Sequence, residues 1–217
     1  VMDFAYQKKI EQYFGRKTEY DKEALMYYHF VYDFLYRNAN NTLAFLDNHD
    51  LPRWFEQIRS KAKLKQALAI LLTSPRIPQI YSGTELMLMG KGKGDGERRE
   101  DTFIQMESWK NLQNADVVSY LQKLLQFRKS SNAVRKGMMK HFIPQNGVYV
   151  YFRQYQDEKI MVLSNSASFT CNVSLIQYSE ELNGCSFGVD AMTGIKYLFN
   201  DNEIEIKKNS VLILKIQ

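Results

Sequence analysis

A run of four polar residues, Asp47-Asn48-His49-Asp50, directly follows a continuous apolar stretch over residues 42–46. A carboxylate and an imidazole at the carboxyl end of a buried strand occupy the position of catalytic groups in barrels of parallel strands. There Asp50 could stabilise a developing cation, and His49 could donate a hydrogen bond to a substrate hydroxyl. The same residues also suit a polar turn in which Asp47 or Asn48 caps a short following helix. The spacing alone leaves both interpretations open.

Strand-like and helix-like segments alternate up to about residue 130, and they must position this run. The strand-like segments are 1–6, 42–46 and 77–81. The helix-like segments, with apolar side chains near helical spacing, are 21–37, 61–73 and 116–129. This alternation predicts parallel strands with crossover helices, and the apolar strands predict a sheet buried on both faces. The glycine-rich, charged segment 91–100 is predicted to be a loop.

The pattern changes after Gly137, where short strand-like runs are separated by turn signals such as Pro144-Gln145-Asn146-Gly147. The runs are 138–143, 147–153, 159–164, 170–175, 203–207 and 211–216. Short strands at this spacing predict an antiparallel β-sandwich. The boundary lies between residues 132 and 137, so the predicted units are 1–134 and 135–217.

Composition excludes several classes of protein. The chain has 217 residues, of which 45% are hydrophobic and 24% charged, as in ordinary globular proteins. No apolar run approaches the roughly 18 residues of a membrane span. The net charge of +5 is scattered, with no basic stripe interleaved with aromatics, which argues against nucleic acid as a partner. Cys171 and Cys185 show no metal-binding spacing, and two free buried thiols are the favoured interpretation.

Four motifs together resemble the α-amylase family, glycoside hydrolase family 13, in its neopullulanase and cyclomaltodextrinase branch. Phe45-Leu46-Asp47-Asn48-His49-Asp50, followed by Leu51-Pro52-Arg53, is similar to the end of that family's seventh barrel strand. Ile77-Pro78-Gln79-Ile80-Tyr81-Ser82-Gly83-Thr84-Glu85 resembles the eighth strand. Asp95-Gly96-Glu97-Arg98-Arg99-Glu100-Asp101 resembles the loop after it, and Val1-Met2-Asp3-Phe4 resembles the sixth strand. One departure is Arg76, where the family commonly has glycine.

The resemblance implies a role for each matching residue. Asp50 matches the third catalytic carboxylate, which stabilises the oxocarbenium-like transition state. His49 matches the histidine that holds hydroxyls of the sugar at the cleavage point. Asp95 and Arg99 match loop residues that bind the neighbouring sugar. Arg53 is a further substrate-binding candidate, or it serves mainly to brace the strand end.

The implied fold is the last three strand–helix units of a (β/α)₈ TIM barrel, followed by an antiparallel β-sandwich. The implied activity is retaining cleavage of α-1,4, and as a further option α-1,6, glucosidic bonds in α-glucans. A retaining glycosidase needs a nucleophile and an acid/base carboxylate roughly 5 Å apart. The family places them on strands that would precede Val1, so the chain alone is expected to be inactive.

Several rival expectations stay open. The chain could instead be a non-catalytic carbohydrate-binding or assembly module, or a transglycosylase of the same family. No organic cofactor is implied, and calcium stays open for the intact enzyme, with its ligands mostly upstream. Exposed barrel edges predict self-association. The compartment stays open between bacterial periplasm and cytoplasm.

Overall fold

A computed structural model describes residues 1–15, 24–90 and 116–217. The predicted loop at 91–100 and the start of the predicted helix at 21–37 therefore lie outside the described residues. The first unit contains two short strands, β1 (Leu43–Phe45) and β2 (Ile77–Gln79). Its helices are α1 (Phe4–Phe14), α2 (Ala24–Val31), α3 (Trp54–Ile58), α4 (Lys61–Thr73), α5 (Asp116–Ser130) and α6 (Asn132–Lys136). Short 3₁₀ helices cover Tyr32–Leu35 and Ala39–Asn41.

The two strands of the first unit are parallel, as predicted, with Leu43 opposite Ile77 and Phe45 opposite Gln79. The prediction of a strand over 1–6 is wrong beyond its start. Only Met2 forms a parallel bridge, to Leu43, and α1 begins at Phe4. The physical reason is a helix cap, because the Asp3 side chain accepts a hydrogen bond of 2.8 Å from the Tyr6 amide.

The predicted helix at 61–73 is confirmed as α4, and the one at 116–129 is confirmed as α5 with one further residue. Ser60 caps α4 by accepting a hydrogen bond from the Lys63 amide. Asp116, at the start of α5, lies 2.9 Å from Lys61 and 2.7 Å from Lys65. The lysines of α4 therefore form a solvated face that contacts α5. The strand at 77–81 is less buried than predicted, since Ile77 is 45% exposed.

The second unit is an antiparallel sandwich, as predicted. A six-stranded sheet has the order β3-β4-β5-β10-β7-β8, and a two-stranded sheet pairs β6 with β9. The strands are β3 (Met138–His141), β4 (Val148–Tyr155), β5 (Glu158–Asn165), β6 (Cys171–Ser174), β7 (Phe187–Asp190), β8 (Lys196–Leu198), β9 (Glu203–Ile206) and β10 (Ser210–Ile216). The sequence patterns missed β7 and β8, which are short and partly exposed, and the four-residue helix α7 (Ser179–Leu182). Cys171 and Cys185 are free thiols, the first buried and the second half-buried.

Side chains of the central strands alternate between two cores. One face of β4, with Tyr149 and Tyr151, joins the core formed with α1, α4 and α5. The other face, with Val148, Val150 and Phe152, packs toward the small sheet. This alternation of period two explains why β4 is buried on both sides over Val148–Arg153.

Buried hydrogen bonds join the first unit to the sandwich. The Gln66 side-chain amide donates to the carbonyls of Asn165 and Ser210, each at 2.9 Å. The Tyr151 hydroxyl lies 2.5 Å from the Thr73 hydroxyl. Because buried polar groups must find partners, these bonds fix how α4 sits on the sheet.

Arg76 is fully buried and ion-paired, which accounts for an arginine where the resemblance predicts glycine. Its guanidinium lies 3.2 Å from Asp3 and also pairs with Asp33. Burial opposes ionisation of Asp3. The hydrogen bonds from His29 and the Tyr6 amide, and the charges of His29 and Arg76, outweigh burial and lower the pKa of Asp3 to about 2. The cluster fastens the amino end of α1 to the segment before β2.

Candidate functional site

The carboxyl ends of β1 and β2 lie side by side, because the two strands are parallel and in register. The turn after β1 carries Asp47, and the turn after β2 carries Thr84. The Thr84 hydroxyl donates a hydrogen bond of 2.6 Å to the Asp47 carboxylate. Residues 37 positions apart in the chain therefore close one polar site at this end of the strands.

Asp47 is the buried centre of this site, with 2% of its surface exposed. Its second carboxylate oxygen accepts a 3.0 Å hydrogen bond from the Trp54 amide at the start of α3. Burial raises the pKa of Asp47, and the bonds from Thr84 and Trp54 together with the charge of Arg53 partly offset that rise. The turn interpretation of this run is therefore confirmed for Asp47, which caps the short following helix.

His49 and Asp50 are presented outward by the same turn. Their side chains are 45% and 49% exposed, and His49 Nε2 lies 3.2 Å from the Asp50 carboxylate. The Asn48 side chain holds the turn by accepting a 2.9 Å hydrogen bond from the Asp50 amide. An imidazole and a carboxylate in this arrangement can contact one polar ligand together. The run can therefore be both a turn and a candidate site. Asp47 and Asn48 stabilise the turn, while the His49 and Asp50 side chains remain half-exposed.

Arg53 lies beneath the turn rather than at its surface, with 4% of its surface exposed. Its guanidinium stacks over the Tyr81 ring, 4.0 Å from the ring centroid. It also lies 3.9 Å from the Asp47 carboxylate. A buried cation with these neighbours braces the two strand ends against each other. The role of Arg53 in substrate binding stays a prediction.

Asp95 and Arg99 lie outside the described residues, so their predicted contacts with sugar stay predictions. Within the described part of the chain, no group of three or more His, Cys, Asp or Glu side chains could hold a metal ion. None of the helices over the same residues is long and apolar enough to cross a membrane.

Sequence reasoning assigned no role to several residues that position the site. Tyr81 and Thr84 enter the sequence analysis only as members of the eighth-strand motif. In the structure Thr84 binds Asp47 and Tyr81 contacts Arg53. Gln7 donates a hydrogen bond of 3.3 Å to the Leu46 carbonyl just before the turn. Nothing local in the sequence identifies Gln7, since its partner lies 39 positions away.

Comparisons with known proteins agree with the motifs. Residues 139–215 match the family described as the Cyclo-malto-dextrinase C-terminal domain. Two curated relatives from Niallia circulans are each 30% identical, a cyclomaltodextrin glucanotransferase over 176 residues and an alpha-amylase over 173. The matches cover 81% and 76% of this chain, but only 23% and 30% of those relatives.

The fold is also shared with solved structures. A crystal structure of AmyP in complex with maltose superposes with a TM-score of 0.82, covering 99% of this chain and 49% of that chain at 16% identity. At this identity the likeness shows the fold alone.

Proposed function

The chain belongs to the α-amylase family of glycoside hydrolases, and we propose that it carries one catalytic carboxylate, Asp50, of an α-glucan-cleaving enzyme. Asp50 and His49 would contact the sugar at the cleavage point. The observation that carries the proposal is the exposed His49–Asp50 pair on a buried support centred on Asp47. The maltose bound in the AmyP structure fits an α-glucan ligand.

The proposed architecture is part of a TIM barrel, residues 1–134, followed by the sandwich, residues 135–217. Three observations support it: parallel β1 and β2, the parallel bridge of Met2 to Leu43, and the helices between them. Polar groups at the carboxyl ends of such strands are placed where barrel enzymes bind substrate. The sandwich packs on the barrel part through the core that Tyr149 and Tyr151 share with α4.

The proposed mechanism follows from charge and exposure. The Asp50 carboxylate would lower the energy of the oxocarbenium-like transition state by direct charge stabilisation. His49, 3.2 Å away, would donate to a sugar hydroxyl and hold the ring in place. Asp95 and Arg99 would bind the neighbouring sugar. If the enzyme acts like neopullulanases and cyclomaltodextrinases, it would cleave α-1,4 glucosidic bonds and, as a further option, α-1,6 glucosidic bonds.

The 217-residue chain by itself is proposed to be inactive. Cleavage with retention needs two carboxylates about 5 Å apart in addition to a supporting one. In the described part of the two strand-end turns, the other carboxylates are Asp47 and Glu85. Asp47 is held by Thr84 and Trp54, and Glu85 accepts a hydrogen bond of 3.0 Å from the Gly83 amide. Asp47 would therefore serve as structural support, and Glu85 would stay bound to the backbone of its own turn.

Calorimetry with maltotriose tests the binding part of this proposal. The wild-type chain should bind, and Asp50→Asn should weaken binding about tenfold, equivalent to one lost charged hydrogen bond. Asp157→Asn, which neutralises an exposed carboxylate in the β4–β5 turn, is the matched control and should leave affinity unchanged. Equal affinity of all three proteins would refute the role of Asp50.

A separate assay tests inactivity. The pure chain, incubated with starch, pullulan or cyclodextrin, should release no reducing sugar above the blank. Measurable release that Asp50→Asn abolishes would overturn the inactivity while supporting the role of Asp50.

Transfer of the glycosyl unit is a second candidate reaction, because several of the curated relatives are cyclomaltodextrin glucanotransferases. Hydrolase and transferase would use Asp50 and His49 alike. Product analysis of a protein that contains this chain together with the other two carboxylates separates them, since only transfer yields products longer than the substrate.

A further inference from the structure

A polar cavity lies away from the His49–Asp50 pair, at the opposite, amino-terminal end of β1 and β2. It has a volume of about 340 Å³, which falls within the range of small-ligand pockets. Its basic lining residues define what we call the cationic cleft: Arg76, Arg128, Arg135, Lys136 and Arg153. Asn38, Asn40 and Asn41 complete its polar rim. No Asp or Glu is among its described lining residues.

The positive charge of the cationic cleft is only partly compensated. Arg76 is paired with Asp3 and Asp33. Arg128 and Arg153 instead donate to neutral carbonyls, Arg128 to Leu72 at 2.6 Å and Arg153 to Thr73 at 2.5 Å. These carbonyls stand at the C-terminal end of α4, whose dipole favours cations but supplies no full negative charge.

The outer cations of the cleft also lack acidic partners among the described residues. Arg135 donates to the side-chain amide oxygen of Asn132 at 2.9 Å, and no ion pair within the described ranges involves Lys136. Both side chains are exposed. The carboxylate of Glu158, which lies at the start of the same short helix α6, accepts a hydrogen bond from the Ala133 amide.

Arg153 supplies an independent observation that points to a ligand. The residue is 1% exposed and lines the cleft, yet its Nε is buried with no hydrogen-bond partner among the described residues. Burial, opposed by Tyr151 and assisted by the charges of Arg128 and Arg76, lowers the pKa of Arg153 to about 10. A buried guanidinium beside like charges is costly unless an anion nearby compensates its charge.

We propose that the cationic cleft binds a phosphate group, either free inorganic phosphate or the phosphate of a sugar phosphate. Guanidinium groups bind phosphate oxygens through paired, charge-assisted hydrogen bonds. Arg153, which is buried, and Arg128, which is half-buried, form the floor. Arg135 and Lys136 at the mouth supply the remaining charge. The site does not depend on Asp50, so it stands or falls separately from the proposed function.

Titration calorimetry on the 217-residue chain tests the site, with inorganic phosphate, glucose 6-phosphate and glucose as probes. Sodium chloride is held at one ionic strength in all runs, because exposed charges are screened by salt. Phosphate should bind and glucose should not. Binding of glucose 6-phosphate at least as tight as phosphate assigns the site to a sugar phosphate, and binding of phosphate alone assigns it to the free anion.

Variants locate the binding. The double variant Arg135→Gln, Lys136→Gln changes exposed side chains and should fold normally, while weakening phosphate affinity about tenfold or more. Lys208→Ala, which removes an exposed charge in the turn between β9 and β10, is the matched control and should bind like wild type. Phosphate should also raise the melting temperature of wild type and of the control but not of the double variant. Absence of phosphate binding by wild type, or equal weakening in Lys208→Ala, would overturn the proposal.

Discussion

Asp47→Asn is expected to destabilise the protein although it changes a side chain by one atom. Removing the charge removes the attraction to Arg53, 3.9 Å away, which is about 4 kcal/mol at an effective dielectric constant near 20. Relief of the desolvation of the carboxylate returns at least that much, because burial raises the pKa of Asp47 despite its partners. The loss comes from hydrogen bonding, because asparagine offers one acceptor oxygen for the Trp54 amide and the Thr84 hydroxyl, and a donor left without an acceptor costs about 1–3 kcal/mol. The net loss of unfolding free energy is therefore about 1–2 kcal/mol.

Asp50→Asn provides the matched comparison in the same turn. Its carboxylate is 49% exposed and faces an imidazole that is 45% exposed. Solvent screens such pairs, so its loss should change the unfolding free energy by less than about 0.5 kcal/mol. The same exposure leaves this residue free to bind sugar. The two substitutions are thus expected to have different effects: Asp47→Asn lowers stability, and Asp50→Asn weakens sugar binding.

Urea unfolding followed by tryptophan fluorescence measures both effects. With a slope of about 2.5 kcal/mol/M, the midpoint of Asp47→Asn should fall by about 0.4–0.8 M, and that of Asp50→Asn by less than about 0.2 M. Adding Arg53→Met to Asp47→Asn should recover at least about 1 kcal/mol, because it removes the cation left unpaired. Equal midpoints for the two single variants, or no recovery in the double variant, would refute the assignment of Asp47 as the buried support.

Two further predictions concern a buried ion pair inside the first unit and a close backbone contact at the boundary with the second. The pKa of Asp3 is about 2 in the folded chain against an ordinary value of 3.8, so it contributes about 2 kcal/mol of stability above pH 4 that is lost as the pH falls toward 2. Urea midpoints at pH 5 and pH 3 should differ less in Asp3→Asn than in wild type, and an equal difference would contradict this. Gly137→Ala places a Cβ 2.3 Å from the Ala133 carbonyl oxygen and 2.5 Å from that of Gln154, both backbone atoms that must move. A melting temperature lower by about 4–8 °C is expected from about 2 kcal/mol, whereas a fall of less than 2 °C would show that the backbone yields easily.

Local sequence patterns were sufficient for the elements whose caps, turns and spacing involve residues close together in the sequence. The limits of α4 follow from the Ser60 cap and the helical spacing of its apolar residues. The strands β4 and β5 follow from continuous strand-like apolar runs bounded by turn signals. Patterns failed at residues 1–6, where an apolar run looks like a strand until the Asp3 cap is considered, and at β7 and β8, which are too short to show a period.

For the candidate site, the sequence by itself determined the residue types: two aspartates, an asparagine and a histidine after a buried strand, in an order that the α-amylase family shares. It could not say which aspartate is structural. Only the tertiary structure decided that, because the hydroxyl that binds Asp47 comes from Thr84, 37 positions along the chain, and parallel pairing of β1 with β2 brings it there. The same holds for the cationic cleft, whose arginines come from the segment before β2, from α5, from α6 and from β4. Burial and the interactions between charged groups depend on distances in space, and the fold alone sets those distances.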